Sequence, residues 1–279
     1  MLTLETINIL GFLIPAALYA ALGAHFWHTR WRDHNSQPPA HMQSWERAAI
    51  AATLLGHGQG LVQGMHLSDG MHFSFALALS LMMWISVLIY WLESFKARME
   101  GLQPMVLPVA AVCAALPAVF PQSHLIAHLD AIGFRLHFLA AMLAYSLFTL
   151  AALHAIFMGY VERKLHQRVV SRRLASLPPL MSMEALLFKV LLCGFILLSI
   201  TLGSGLFYSE MIFDQPLRID HKTIFAILSW LIFATLLTGR WVYGWRGQRA
   251  LRWTLTGFAV LLLAYMGSRF VLEILLSRP

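Results

Sequence analysis

Apolar residues fall along this chain in eight runs separated by short polar stretches. The runs extend over Ile7 to Phe26, Ala48 to Val62, Phe73 to Leu92, Met105 to Phe120, Phe134 to Tyr160, Leu186 to Tyr208, Thr223 to Gly239 and Trp253 to Leu276. About 20 mostly apolar residues suffice for a helix to cross a bilayer, and most of the runs approach or exceed that length. The second and fourth are the least regular. His57, Gln59 and several glycines interrupt the second, and Pro104, Pro108, Pro117 and Pro121 frame or kink the fourth, which packed neighbours in a bundle can tolerate. The pattern predicts an all-α fold: a polytopic integral membrane bundle of eight transmembrane helices, forming one domain over residues 1–279.

Composition strengthens that expectation. Hydrophobic residues make up 59% of the chain and charged residues 12%, against about 25% charged in soluble domains. Connections between runs are short, so no soluble domain carries separate chemistry. Function must then reside in the bundle or at its two surfaces.

Lysine and arginine set the expected orientation. Fourteen of the 20 lie after runs one, three, five and seven: Arg30, Arg32, Arg47, Lys96, Arg98, Arg163, Lys164, Arg168, Arg172, Arg173, Arg240, Arg246, Arg249 and Arg252. The opposite ends hold only Arg135, Arg218, Lys222 and Arg278. By the positive-inside rule the first set faces the cytoplasm and both termini lie on the outer, periplasmic side. Topology therefore accounts for the net charge of +7, and no nucleic-acid partner is expected. The first run lacks a basic leader and a small-residue cleavage site, so it reads as a retained helix.

The two cysteines, Cys113 and Cys193, sit in separate apolar runs, and no C-x-x-C or C-x-x-C-H is present. A dithiol oxidoreductase and a covalent c-type haem carrier are both excluded on that ground. Histidines are more informative. His25, His28, His34, His41 and His166 fall at cytoplasmic run ends, and His154 lies about 25 Å along the fifth helix from His137 at the α-helical rise. His66, His72, His124, His128, His137 and His221 gather on the outer side. Two neutral imidazoles from neighbouring helix ends would clamp a flat macrocycle through its iron, while the plainer role for each is a half-wet interfacial position. His57 stands about ten residues, or roughly 15 Å, beyond Arg47 and so within the membrane. Ionisable groups at such depth usually face a cavity or a partner, and Gly56, Gly58 and Gly60 would admit either a neighbouring helix or a bulky ligand.

Four stretches carry a family resemblance: "HFLAAMLAYSLFTLAALHAIF", "LPPLMSMEALLFKVLLCGFILLSITLGSG", the joined pattern of "GWRG" with a following "GF" helix, and a "Y-x-G-x-x-F" end. The sequence resembles the cytochrome c assembly membrane proteins of the CcsA, ResC and CcmC type, most closely their short HemX- and YpjD-like branch. The resemblance implies an inner-membrane, multi-pass factor that handles haem or assembles cytochrome c complexes, and not an enzyme. The cofactor it implies is non-covalent, b-type haem held near the outer face. His137 matches the family's outer haem-ligating histidine, and His57 matches a histidine of an early helix. The larger members carry a tryptophan-rich loop where this chain has "YSEMIFDQPLRIDHKT", with Asp220 and Lys222 retained. His221 then takes the place of the missing outer ligand, so that His137 and His221 would bind the haem iron. Arg135, Arg218, Lys222 or Arg269 would pair with the propionates by charge-assisted bonds. The implied partners are the lipid bilayer, haem, and other cytochrome assembly proteins or a membrane transporter. The competing class is a membrane adaptor or regulator, of haem biosynthesis or of a neighbouring transporter, with a vestigial or sensory haem site.

Overall fold

The computed structural model describes residues 4–32, 42–67, 70–95, 101–121, 124–125, 132–166, 179–213 and 221–264. Each of the eight apolar runs holds a helix among the described residues, the last part of the eighth, 265–276, lying outside them: α1 (Leu4–Phe26), α2 (Ser44–Met65), α3 (Phe75–Glu93), α4 (Gln103–Val119), α5 (Ile132–His166), α6 (Leu180–Phe213), α7 (His221–Tyr243) and α8 (Gln248–Leu262). A π-helical segment, Trp27–Arg32, continues α1, and three short strands complete the elements: β1 (His66–Leu67), β2 (Gly70–Phe73) and β3 (His124–Leu125). Five segments are long and apolar enough to cross a membrane, namely Ile9–Trp31, Phe75–Glu93, Ile132–His166, Leu180–Gly205 and His221–Tyr243, while Gln103–Val119 is a shorter apolar helix. The protein is thus an all-helical, multi-pass membrane protein.

The chain forms two compact units. One comprises Met1–Ser68, Ala76–Pro121 and Ile156–Met183; the other comprises Asp69–Phe75, Gln122–Ala155 and Glu184–Pro279.

In the first unit α1, α2 and α3 run antiparallel in turn, as their paired residues show. Gly11 near the start of α1 meets Gly60 near the end of α2, while Glu46 at the start of α2 meets His25 at the end of α1. The close approach has a local cause. Pro15 has no N–H, so the Gly11 carbonyl lacks its usual helical donor. A Cβ at Gly60 would stand 2.5 Å from that carbonyl oxygen, so only glycine lets α2 come so near. Helix α2 is among the more polar of the eight, yet it buries Glu46, Ile50, Thr53, Leu54, His57, Gly60, Leu61 and Met65, a stripe at three- and four-residue spacing. Its polar members are therefore interior groups with interior partners. Trp84 of α3 donates its indole N–H to the Leu54 carbonyl at 2.8 Å, and Trp91 donates to that of Arg47 at 3.0 Å.

The second unit is an up-and-down bundle of the first two-thirds of α5 with α6, α7 and α8. Its register can be followed level by level. His137 of α5 meets Ser204 of α6, Ser199 of α6 meets Trp230 of α7, and Tyr145 of α5 donates to the Leu261 carbonyl of α8 at 3.1 Å. Deeper, the rings of Phe148 and Phe233 stack at 3.9 Å between Gly194 of α6 and Gly257 of α8. A Cβ on Gly257 would lie 2.8 Å from Phe233, so the aromatic pair occupies the space those glycines leave. In a bilayer such dispersion packing, and not water exclusion, holds helices together. At the far end the "GWRG" turn joins α7 to α8. Gly244 and Gly247 adopt positive φ values of 63° and 56°, which glycine takes without strain. Trp245 folds back so that its N–H bonds the Gly239 carbonyl at 3.1 Å and its ring covers Gly239. Glu184, from the start of α6, binds Arg240 at 2.6 Å and Arg246 at 3.6 Å.

Candidate functional site

His137 lies five residues into α5, half-buried, with its imidazole against α6. Its Nδ1 is 2.9 Å from the Ser204 hydroxyl oxygen. Ser204 in turn donates its hydroxyl hydrogen to the Thr201 carbonyl at 3.1 Å. Given to Thr201, the single hydroxyl hydrogen leaves the serine oxygen to accept from the ring, which assigns the proton to Nδ1 and the lone pair to Nε2. Among the described residues Nε2 has no hydrogen-bond partner. An imidazole held at one nitrogen and bare at the other is the arrangement found in metal-ligating histidines, whose second nitrogen donates to a fixed acceptor.

The surface around that ring is shaped by small residues. Gly205 lies beneath the imidazole, where a Cβ would come 3.4 Å from Cε1. Gly203 faces open space, with nothing within 4 Å of where a Cβ would be. Helical spacing puts Phe195, Ser199 and Gly203 on one face of α6. The first two meet Trp230, whose ring stacks on Phe195 at 5.3 Å and whose indole N–H bonds Ser199 at 2.8 Å. One turn further on, the same face reaches Gly203, where a Cβ would meet nothing within 4 Å among the described residues. That open position adjoins Ser204, the residue that holds the imidazole of His137. Beside it Phe138 packs edge-on against Phe73 of β2 at 5.0 Å, and β2 pairs antiparallel with β3 so that Phe73 stands opposite His124 and His72 opposite Leu125.

Of the other expected residues, His221 and Lys222 open α7 and Arg135 lies in the first turn of α5. His221 and Arg135 are exposed and Lys222 is half-buried. Among the described residues His221 makes no contact with His137. Arg218, Asp220, His128 and Arg269 lie outside the described residues. His66 bonds the Val62 carbonyl of its own helix end at 3.1 Å.

His57 is wholly buried in the first unit, with Nε2 2.8 Å from the Ser80 hydroxyl and its ring edge-on to Tyr19 at 5.6 Å. Two of its flanking glycines are filled by protein: Gly60 meets the Gly11 backbone, and a Cβ on Gly58 would lie 3.2 Å from the Trp84 ring. The donor chemistry at His137 therefore fits a histidine that would hold a haem iron, whereas His57 has no exposed surface and its Nε2 is already engaged by Ser80. Among the described residues no three His, Cys, Asp or Glu side chains converge on one point, so a multi-ligand metal centre is not built there.

Sequence reasoning missed the cluster at the base of the first unit. Glu46, nearly inaccessible, accepts from His25 at 3.1 Å, Arg30 at 3.3 Å and the Gln43 N–H at 2.7 Å. Trp31 of the π-helical segment stacks on Tyr160 at 5.1 Å and donates to the Gly101 carbonyl at 3.2 Å. The cluster fastens helix ends and uses up its own charges. Its signal in the sequence was a lone acid in a basic stretch.

Residues 67–276 match the family described as cytochrome C assembly protein. Over 175 residues the chain is 33% identical to the inner membrane protein YpjD of Escherichia coli strain K12, which covers 62% of this chain and 65% of that protein. It is also 33% identical over 89 residues to the cytochrome c biogenesis protein CcsA of Prochlorococcus marinus strain MIT 9215, covering 32% of this chain and 29% of that protein. The chain thus spans just under two thirds of its YpjD relative and under a third of CcsA. His137, Ser204, Gly203 and Trp230 lie inside the matched residues; Tyr19 and His57 lie before them.

Proposed function

Because the chain belongs to the cytochrome c assembly family, we propose that it is a haem-handling assembly factor of the bacterial inner membrane, with no enzymatic step of its own. The observation that carries the reading is the Ser204-held imidazole of His137, whose Nε2 has no partner among the described residues and beside which α6 is open at Gly203. In this reading Nε2 would hold the iron of a non-covalently bound, b-type haem. Arg135 and Lys222 stand at the helix ends that begin on that side and pair with the propionates. His221, at the first position of α7, supplies the second imidazole. Arg218 joins the propionate set by its place in the sequence. The bound haem would supply iron coordination chemistry; the protein's share is to orient His137 and to shield one ring edge.

All eight helices cross the membrane in this reading, with both termini and the His137 end on the outer side. The basic helix ends support it within each unit: Arg30 in the π-helical continuation of α1 and Arg47 at the start of α2 share one end of the first unit, and in the second Arg240 and Arg246 lie at and just after the end of α7, opposite the end that His221 opens. Partners would be other cytochrome assembly proteins.

The purified protein in detergent tests the site. A stoichiometric Soret band with a low-spin, bis-imidazole spectrum is expected. His137→Ala and His221→Ala should each turn it high-spin or abolish binding, and free imidazole should partly restore the low-spin form. A spectrum indifferent to His137→Ala removes the site. A second reading, a membrane adaptor or regulator, is favoured by "YSEMIFDQPLRIDHKT" standing where larger relatives carry a tryptophan-rich loop. Absence of any Soret band from the native membrane protein would select it.

A further inference from the structure

In the first unit Tyr19 of α1, His57 of α2 and Ser80 of α3 form a polar group with no exposed surface. His57 Nε2 is taken by the Ser80 hydroxyl at 2.8 Å. Among the described residues His57 Nδ1 and the Tyr19 hydroxyl have no hydrogen-bond partner, although the two rings touch edge-on with centroids 5.6 Å apart. Two bare polar atoms on adjacent rings, both sealed from water and lipid, are costly unless something joins them.

The spacing of the two helices there has a visible origin. Pro15 lies one turn before Tyr19, and Gly56 adjoins His57. A Cβ on Gly56 would meet only Pro15 Cγ, at 3.8 Å, whereas one turn later at Gly60 the same seam closes to 2.5 Å on the Gly11 carbonyl. The α1–α2 seam is therefore loose beside Tyr19 and His57 and shut beyond. Trp84 closes the α3 side against Gly58.

We propose that Tyr19 and His57 bind one water-sized molecule that bridges the tyrosine hydroxyl and Nδ1. The phenol must donate. If Ser80 donates to Nε2, Nδ1 carries the ring proton and the bridge accepts twice. If Ser80 accepts, Nδ1 holds a lone pair and the bridge accepts once and donates once. Water satisfies both cases, and buried waters characteristically join such otherwise unsatisfied groups. The bridge makes His57 the centre of a three-helix polar clasp, distinct from the His137 site and independent of whether haem binds there.

A single hydroxyl deletion tests this. Tyr19→Phe is compared with the parent in detergent, by thermal unfolding and by the 15N resonances of histidine-labelled protein, with the His57 signals identified as those missing in His57→Phe. If a water bridges the pair, removing the hydroxyl strips the bridge of a partner, lowers the unfolding midpoint and shifts the Nδ1 resonance. If the two atoms are simply unsatisfied, Tyr19→Phe removes one of them, so the midpoint holds or rises and the resonance stays put. That second result overturns the proposal. Should His57→Phe fail to fold, the resonance that moves on Tyr19→Phe alone still decides: movement with a lowered midpoint supports the bridge, and no movement of any histidine resonance overturns it.

Discussion

Ser204→Ala isolates the step from geometry to ligand chemistry. The substitution removes one oxygen from α6 and nothing else. Alanine is the best helix former, and the Thr201 carbonyl that Ser204 engages still has its own helical donor, so the bundle should fold unchanged. What is lost is the acceptor that holds His137 Nδ1 and fixes the ring proton there. A net hydrogen bond of about 0.5–1.5 kcal/mol corresponds to roughly 2- to 13-fold in an equilibrium constant. Groups that orient a metal-ligating histidine typically cost about 10–100-fold when removed. The two ranges overlap near 10-fold, which is the weakening expected for haem affinity, read by titrating apo-protein in detergent and following the Soret band. Thr235→Ala, on an exposed face of α7 with only a bond to its own helix, should change nothing. In a His137→Ala background Ser204→Ala should add no further loss, because the serine acts only through the imidazole. Unchanged affinity in Ser204→Ala, alongside loss in His137→Ala, would refute the tautomer argument while sparing the ligand.

Two glycines of α2 one turn apart should respond with opposite sign. Gly60→Ala drives a methyl to 2.5 Å from a backbone oxygen and should cost about 1–3 kcal/mol, whereas Gly56→Ala meets only Pro15 at 3.8 Å and should gain up to about 1 kcal/mol from helix propensity. Denaturant unfolding in mixed micelles measures both, and equal effects would contradict the seam geometry. Gly203→Leu should fill the open space beside Ser204, lowering haem affinity at least severalfold without lowering the thermal midpoint; retained affinity would place the ligand elsewhere. For orientation, an impermeant thiol reagent added outside should label Ser277→Cys and spare Ser171→Cys, and the reverse pattern would invert the topology.

The helices were legible because a bilayer admits few alternatives to an apolar helix, so each run in the sequence became one. Their ends were less so. The fifth run ends at Tyr160 by hydropathy, but α5 continues through Arg163 and Lys164 to His166, since polar residues propagate a helix without difficulty once it leaves the apolar layer. The short pairing of Gly70–Phe73 with His124–Leu125 was hidden because four residues carry too little alternation to signal a strand, and its partner lies some fifty positions away. His137 could be singled out from the sequence, but its tautomer could not. That depended on Ser204, 67 residues later, and on where the serine sends its own hydrogen. At His57 the composition was legible and the inference from it was open: three glycines announce a close approach, and the structure shows what approaches, the α1 backbone at Gly60 and the Trp84 ring at Gly58.

A glycine in a membrane helix is thus ambiguous in a way that only its neighbour resolves, and the second unit uses both meanings along one bundle. At its base Glu184 gathers Arg240, Arg246 and the Gly247 N–H, tying the start of α6 to the turn between α7 and α8. In the middle Gly194 and Gly257 close on the stacked Phe148 and Phe233, and Ser229 adds a bond to the Gly257 carbonyl at 3.0 Å. Trp230 seals the next level against Phe195 and Ser199. Only above that does the series fail, at Gly203, where the face that has met α7 twice presents no side chain and, among the described residues, meets nothing within 4 Å. A bundle cannot loosen along its whole length without losing the packing that holds it in lipid. In the proposed reading this single omitted side chain, over a level closed by an indole, is where the edge of a flat ligand would be admitted, with every deeper contact intact. Its place relative to the imidazole follows from helical register, since Gly203 and Ser204 are consecutive: one leaves the face open while the other holds the ring.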